Sequence, residues 1–170
     1  MSPVKKKFVL THTVKNIFSL KENESNFSEE EEHYGVPWKM RVSHYPGFLG
    51  FHLFCNYPKN KGTWSIRVNF EMKLTPKTGK STTVTATGDF SNDSEFTGWG
   101  RNDFRKWEEI MNDSLIDDVF FIEVHAKIIE MTGIEQKKLR NFDESVKQFS
   151  DVVLIVNDEK FYVSKLVRIL

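Results

Sequence analysis

In the stretch WSIRVNFEMKL, Trp64, Ile66, Val68, Phe70, Met72 and Leu74 alternate without interruption with Ser65, Arg67, Asn69, Glu71 and Lys73. A period of two puts successive side chains on opposite faces of an extended chain, so the segment reads as a strand with one dry and one wet face. The following TPKTGK supplies Pro76 and Gly79 for a turn, and STTVTATGDF resumes as an extended, β-branched run. Alternation recurs at Phe8 to Val14, Trp38 to Val42, Phe48 to Phe54 and Phe120 to Ile128. Short strands with half-polar alternation imply an all-β fold in which antiparallel sheets pack face to face as a β-sandwich.

One segment departs from this pattern. In NDFRKWEEIMN, Phe104, Trp107 and Ile110 recur every three residues behind Asn102 or Asp103 as N-cap, which predicts a single short helix. Past Thr132-Gly133 the texture changes again. EQKKLRNFDESVKQFS spaces Leu139, Phe142, Val146 and Phe149 helically among charges and reads as a partly helical linker. After it, Val152 to Val156 form an apolar run, Asn157-Asp158 a turn, and Phe161 and Val163 a second short strand.

The chain has 170 residues, enough for one sizeable core, and its 24 basic and 24 acidic residues cancel. With no net field to attract it to nucleic acid or an anionic membrane, its partners are expected to be found by local shape. The N-terminal Lys5 to Lys7 precede alternating rather than continuous apolar sequence, so no secretory signal is read, and no run is long enough for a transmembrane helix. A single cysteine, Cys55, excludes an internal disulfide framework and fits a reducing compartment, cytoplasmic or nuclear. The Asn-x-Ser sequons at Asn23, Asn26, Asn92 and Asn112 then read as turn-forming residues.

Catalytic and metal chemistry find little support. TGKS at Thr78 to Ser81 lacks the glycine of a phosphate-binding loop, with Leu74 in its place, and lies in a hairpin turn. The five histidines, His12, His33, His44, His52 and His125, lack metal-site spacing, and Cys55 reads as a buried thiol on an apolar strand. Glu29 to Glu32 read as a solvated loop or strand edge, and Asp117-Asp118 as groups that cap a corner. No catalytic residue, metal ligand or cofactor is assigned, and the chain is not expected to be an enzyme.

Four stretches survive in order: HYGVPWKMRV, WSIRVNFEMKL, GWGRNDFRKWEE and DDVFFIEVHAKI. Together they resemble the MATH domain, the sandwich shared by meprins and the TRAF adaptor proteins. The resemblance covers residues 7–132 and implies a TRAF-like sandwich of seven to eight strands. The closing FSDVVLIVNDEKFYVSK is similar to the opening hairpin of a BTB domain. The expected organisation is therefore a MATH domain at 7–132, a linker at 133–149 and the N-terminal fragment of a BTB domain at 150–170, whose remaining helices are absent. MATH followed by BTB is the arrangement of substrate adaptors for cullin-type ubiquitin ligases. What this implies is a module that captures an extended peptide of a substrate protein, with cullin binding left to a complete BTB domain.

Carried over residue by residue, the family groove falls on particular positions. Arg41, in the WKMR run, matches a family basic position, and Phe48 and His52 lie on the strand where adaptors place a groove tyrosine. The loop motif supplies Gly98, Trp99 and Gly100, Arg101 replaces a phenylalanine, Asn102 follows, and Gly88 stands near another groove aromatic. The groove should read different ligands, with less aromatic surface and more positive charge, and an acidic or phosphorylated segment would suit Arg41 and Arg101. Trp99 is open to two readings, an interface anchor or a core plug flanked by turning glycines. A TRAF-like scaffold without a role in ubiquitination is the alternative function, although trimerising heptads are missing. A third, an enzyme or small-ligand sandwich, would need a deep closed pocket with converging polar groups.

Overall fold

A computed structural model describes residues 6–77, 80–113, 118–135, 147, 152–156 and 159–163. The chain divides into two compact units, Met1–Glu135 and Gln136–Leu170. The first unit runs β1 (Lys7–Lys15), a 3-10 turn at Ile17–Ser19, β2 (Ser25–Phe27), β3 (Glu31–His33), β4 (Val36–Tyr45), β5 (Phe48–Cys55), β6 (Ser65–Pro76), β7 (Thr82–Ser91), β8 (Gly98–Lys106), α1 (Trp107–Asp113) and β9 (Val119–Thr132). One sheet has the order β1-β9-β6-β7 and the other β2-β4-β5-β8, with β3 added onto β4. The pairings within both sheets are antiparallel. The strands outnumber the seven to eight expected because β2 and β3 are three-residue pieces laid on β4, too short to leave a periodic signal.

The long β6 alternates as its sequence requires: Ile66, Val68, Phe70, Met72 and Leu74 are buried while Ser65, Arg67 and Asn69 are exposed. Trp64 is also buried, but it precedes the strand. The dry face of β6 meets inward residues of the other sheet, among them Trp38, Met40, Leu49, Phe51 and Leu53. Rings interlock across the sandwich, Trp38 of β4 lying 5.1 Å from Phe8 of β1 and 5.4 Å, edge-on, from Phe90 of β7. Cys55 is buried, and that burial pushes its thiol up to about 12.

The predicted helix begins later than its spacing suggested. Asn102, Asp103 and Phe104 belong to β8, and α1 starts only at Trp107. Pairing with β5 is irregular here, since Leu49 faces Arg105 and Phe51 faces Arg101, so β8 spends more residues than its partner. Phe104 is turned into the core by that irregular strand, 5.3 Å from Phe51, and Ile110 by the helix, which together mimic a helical period. Arg105, nearly buried, ties α1 back through Glu109 and Asp113.

The two sides of this sandwich are closed differently. On the β1 side His12 bonds Asn26 of β2 at 2.9 Å, and the Tyr34 hydroxyl accepts from the Lys7 amide and donates to its carbonyl. Asp118 accepts the amide of Phe18, the corner-capping role expected of this acidic pair; Asp117 is outside the described residues. On the other side β7 pairs only with β6 and β8 only with β5 among the described residues, so two strand edges lie open together. The indole of Trp99 reaches across, donating to the Asp89 carbonyl at 2.8 Å.

In the second unit β10 (Val152–Val156) and β11 (Glu159–Val163) pair antiparallel, Val152 opposite Val163. Val153, Leu154 and Ile155 are exposed. Apart from residues 133–135 and Lys147, the expected helical linker lies outside the described residues, as does the Asn157-Asp158 turn.

Candidate functional site

Period-two geometry sorts the candidate residues. Arg41 pairs with His52, and His52 with Gly100, so these three share the outer, solvent-facing side of the second sheet. Phe48, Tyr45 and Phe54 fall on the same side by register, and so do Gly98, opposite Phe54, and, by alternation from Gly100, Asn102. Trp99 and Arg101 alternate with them, pairing with the inward residues Leu53 and Phe51. Six of the eight candidates are thus brought to one face, and Trp99 and Arg101 are placed on the other.

The glycines shape this face by what they lack. A Cβ at Gly100 would stand 2.0 Å from the Phe51 carbonyl oxygen, so β8 lies against β5 closer than any side chain permits. At Gly98 a Cβ would stand 2.6 Å from the Phe54 ring, which therefore lies over bare backbone. The result is a shallow track bounded by Arg41, Tyr45, His52 and Phe54.

Its electrostatics are unusual for a surface. The Arg41 guanidinium lies 4.8 Å over the Phe54 ring and donates to the Tyr45 hydroxyl at 3.1 Å. Its Nε and the Nδ1 of His52 are buried and have no hydrogen-bond partner among the described residues. Burial first, and the Arg41 charge second, lower the His52 pKa to about 4, so the ring is neutral at physiological pH. Two orphaned nitrogens side by side are costly in a folded protein unless something satisfies them. Phe27 continues the face toward β2, 6.4 Å from Phe54, with the Lys39 ammonium 5.0 Å above its ring.

Arg101 sits in the opposite situation. It is solvent-exposed and already engaged bidentately by Asp103, at 3.0 and 3.1 Å. Trp99 partly joins both readings open at the sequence level: its ring packs over Gly88 of β7, yet 41% of it stays exposed. Tyr45, Phe54, Phe27 and Lys39 were not anticipated for the site. Continuing the alternation from Phe48 through His52 would have found Phe54, but Tyr45 and Phe27 reach the face through cross-strand pairing that sequence spacing does not encode.

Among the described residues no group of three His, Cys, Asp or Glu side chains could hold a metal, and no helix is long and apolar enough to cross a membrane. An open depression of about 580 Å³ lies on the outer face of the β1-β9-β6-β7 sheet, lined by Asn69, Glu71, Thr85, Thr87 and His125. It is a dip in a solvated sheet, not the closed pocket that small-molecule chemistry needs.

Comparison with known proteins agrees with this architecture. The MATH domain profile matches residues 14–128. The chain is 38% identical over 167 residues to BTB and MATH domain-containing protein 15 of Caenorhabditis elegans, covering 98% of this chain and 60% of that protein. It is 34% identical over 166 residues to BTB and MATH domain-containing protein 45 of the same organism, covering 97% of this chain and 35% of that one. A 63-residue segment is 48% identical to BTB and MATH domain-containing protein 34. The chain thus spans less than two thirds of the length of these relatives.

Proposed function

The chain belongs to the MATH domain family, whose members are protein-interaction modules, and on that premise we propose that residues 7–132 capture an extended segment of a substrate protein. The observation that carries this reading is the half-buried Arg41 guanidinium, stacked on Phe54 and bonded to Tyr45 in an aromatic track beside the edge of β8 that lies open among the described residues. A peptide laid along that track would add backbone hydrogen bonds at the strand edge and meet the half-buried Arg41 guanidinium. An acidic or phosphorylated residue suits Arg41, whose charge is desolvated against Phe54. Residues 133–149 then serve as a linker and 150–170 as the opening of a BTB domain. By likeness to relatives named for both domains, capture would serve a cullin-type ubiquitin ligase, with the cullin held by a complete BTB domain. The reading places the work in the cytoplasm or nucleus, where the Cys55 thiol stays reduced.

The test is affinity purification with quantitative mass spectrometry on wild type, Arg41→Glu, Arg41→Gln and Arg101→Glu, each checked for fold by circular dichroism. A charge-assisted contact is worth about 1.5–3 kcal/mol, so Arg41→Glu should lose captured proteins roughly tenfold or more. Arg101→Glu should retain them, because Arg101 is turned away and already paired. Unchanged recovery by folded Arg41→Glu would remove this face from the function.

A further inference from the structure

The bonds that close the β1 side of the sandwich leave the backbone of β1 itself open between them. Two hydrogen bonds at its ends set the parity: the Ile128 amide donates to the Lys6 carbonyl, and the Asn16 amide to the Asp118 carbonyl. In an antiparallel ladder those bonds flank the pairs Lys7–Lys127 and Lys15–Val119. The even-numbered residues of β1 therefore direct their N–H and C=O groups at β9, and the odd-numbered ones direct theirs away from it. The Tyr34 hydroxyl marks this outward side, because it takes both backbone groups of Lys7. Val9, Thr11 and Thr13 come next on that edge, and their backbone groups meet no partner among the described residues, where β1 pairs with β9 alone. The same residues turn their side chains to the outer face of the sheet. There Val9 is 44% exposed, and Phe121, opposite Thr13, is 43% exposed beside an open depression of about 560 Å³.

We propose that the Val9–Thr13 edge is a second docking site, for an extended acidic segment of another protein that adds to β1 as an antiparallel strand. It lies at the opposite end of its sheet from β7 and is independent of the Arg41 track. The lysines at its two ends identify the partner's chemistry. Lys7 and Lys15 hold no ion pair among the described residues, and Lys7 stands directly opposite Lys127, so like charges share one end. The carboxylates nearby are already engaged, Glu123, opposite Thr11, by Lys73 at 3.3 Å and Asp118 by the Phe18 amide. A second copy of this chain is the poorer occupant: pairing the whole of β1 with itself centres on Thr11 and sets Lys7 against Lys15 at both ends. Lysines on a strand edge commonly guard it against such self-association. A heterologous strand with carboxylates opposite Lys7 and Lys15 meets the same charges favourably, and Tyr34 fixes its register by ending the open edge at Val9. Exposed charge pairs add little affinity, so backbone bonds hold the segment and the lysines select it.

The experiment titrates the full chain, labelled with ¹⁵N, with the capped peptide Glu-Thr-Val-Thr-Thr-Thr-Val-Thr-Glu, whose glutamates fall opposite Lys15 and Lys7 in an antiparallel ladder. The amide resonances of Val9, Thr11 and Thr13 should shift, and their exchange with solvent should slow. A peptide with lysine for both glutamates should bind roughly fivefold more weakly. One N-methylated at the residues facing Val9, Thr11 and Thr13 should not bind. Thr11→Pro removes one outward N–H and leaves the ladder to β9 intact, so it should fold, as circular dichroism reports, and lose the peptide. Lys7→Glu combined with Lys15→Glu tests the same edge without touching the backbone, and should reverse the preference toward the lysine peptide. Shifts confined to β7 and β8, equal binding of the two peptides, or no binding of either would each overturn the site. Self-association of the wild-type chain that Thr11→Pro abolishes would also overturn it, by giving the edge to a second copy.

Discussion

Replacing Gly100 with alanine adds one methyl group to a chain of 170 residues, and the structure makes it among the most damaging small changes available. The new Cβ would stand 2.0 Å from the Phe51 carbonyl oxygen, 2.6 Å from His52 Cα and 2.9 Å from the Phe51 carbonyl carbon. All three are backbone atoms of β5, the strand that β8 pairs with, and backbone cannot rotate aside as a side chain does. Relief needs β8 to move away from β5 by an ångström or more. Overpacking by a methyl costs about 1–3 kcal/mol, and loosening the hydrogen bonds around the Gly100–His52 pair adds about 1 kcal/mol for each. The expected loss is about 3–5 kcal/mol, a large part of the total stability of a domain this size. Gly98→Ala is the control, since the atoms it meets belong to the Phe54 ring, which can turn toward solvent, and it should cost about 1 kcal/mol. Urea unfolding followed by circular dichroism measures both. A Gly100→Ala protein within about 0.5 kcal/mol of wild type would show that the two strands are not held this close and would undo the account of the track as glycine-built.

Phe70 is buried at the centre of the dry face of β6, so Phe70→Ala should cost about 3–5 kcal/mol in the same assay; no loss would mean the faces of β6 are reversed. His52 is depressed from 6.5 to about 4 in the folded chain, so the unfolded chain takes up its proton first and stability should fall as pH drops from about 6.5 to about 4, by up to about 3 kcal/mol. His52→Gln should flatten that part of the profile, and an unchanged slope would assign the acid sensitivity elsewhere. The Cys55 thiol, buried and pushed up to about 12, should resist a thiol-reactive dye at pH 8 in native protein and react fully in denaturant; fast native labelling would contradict its burial.

The sandwich was legible wherever a strand keeps one wet face. β6 and β9 show it, with Ile66 to Leu74 and Phe120 to Ile128 buried in strict alternation over most of their length. β5 is covered on both faces, with Gly50, His52 and even the outward side beneath Tyr45 sheltered, so its pattern is weaker. β8 misled because its irregular pairing with β5 is a long-range event: no local preference says that Leu49 and Phe51 face Arg105 and Arg101. Within the site the parity of Gly98, Gly100 and Asn102 against Trp99 and Arg101 follows from period two alone. Which parity faces out, and that Tyr45, Phe54 and Phe27 join it, depends on neighbours far along the chain.

That parity separates two arginines that composition treats alike. Arg101 stands in water with Asp103 already across its fork, and its exposed pair is screened by salt and adds little to any partner's affinity. Arg41 is partly buried, stacked on Phe54, bonded to Tyr45 and left with an unsatisfied Nε, so its charge acts through a medium of lower dielectric. His52 stays neutral beside it, first because it is buried and second because a cation there would repel Arg41. A ligand oxygen arriving at Arg41 displaces no carboxylate held by that side chain among the described residues, and it offsets part of the desolvation the guanidinium meets against Phe54. Selection for acidic segments is therefore expected to follow Arg41→Gln, which removes the charge, and to survive Asp103→Asn, which would free Arg101; an acidic preference that tracks Asp103 instead would move recognition to the other face of β8.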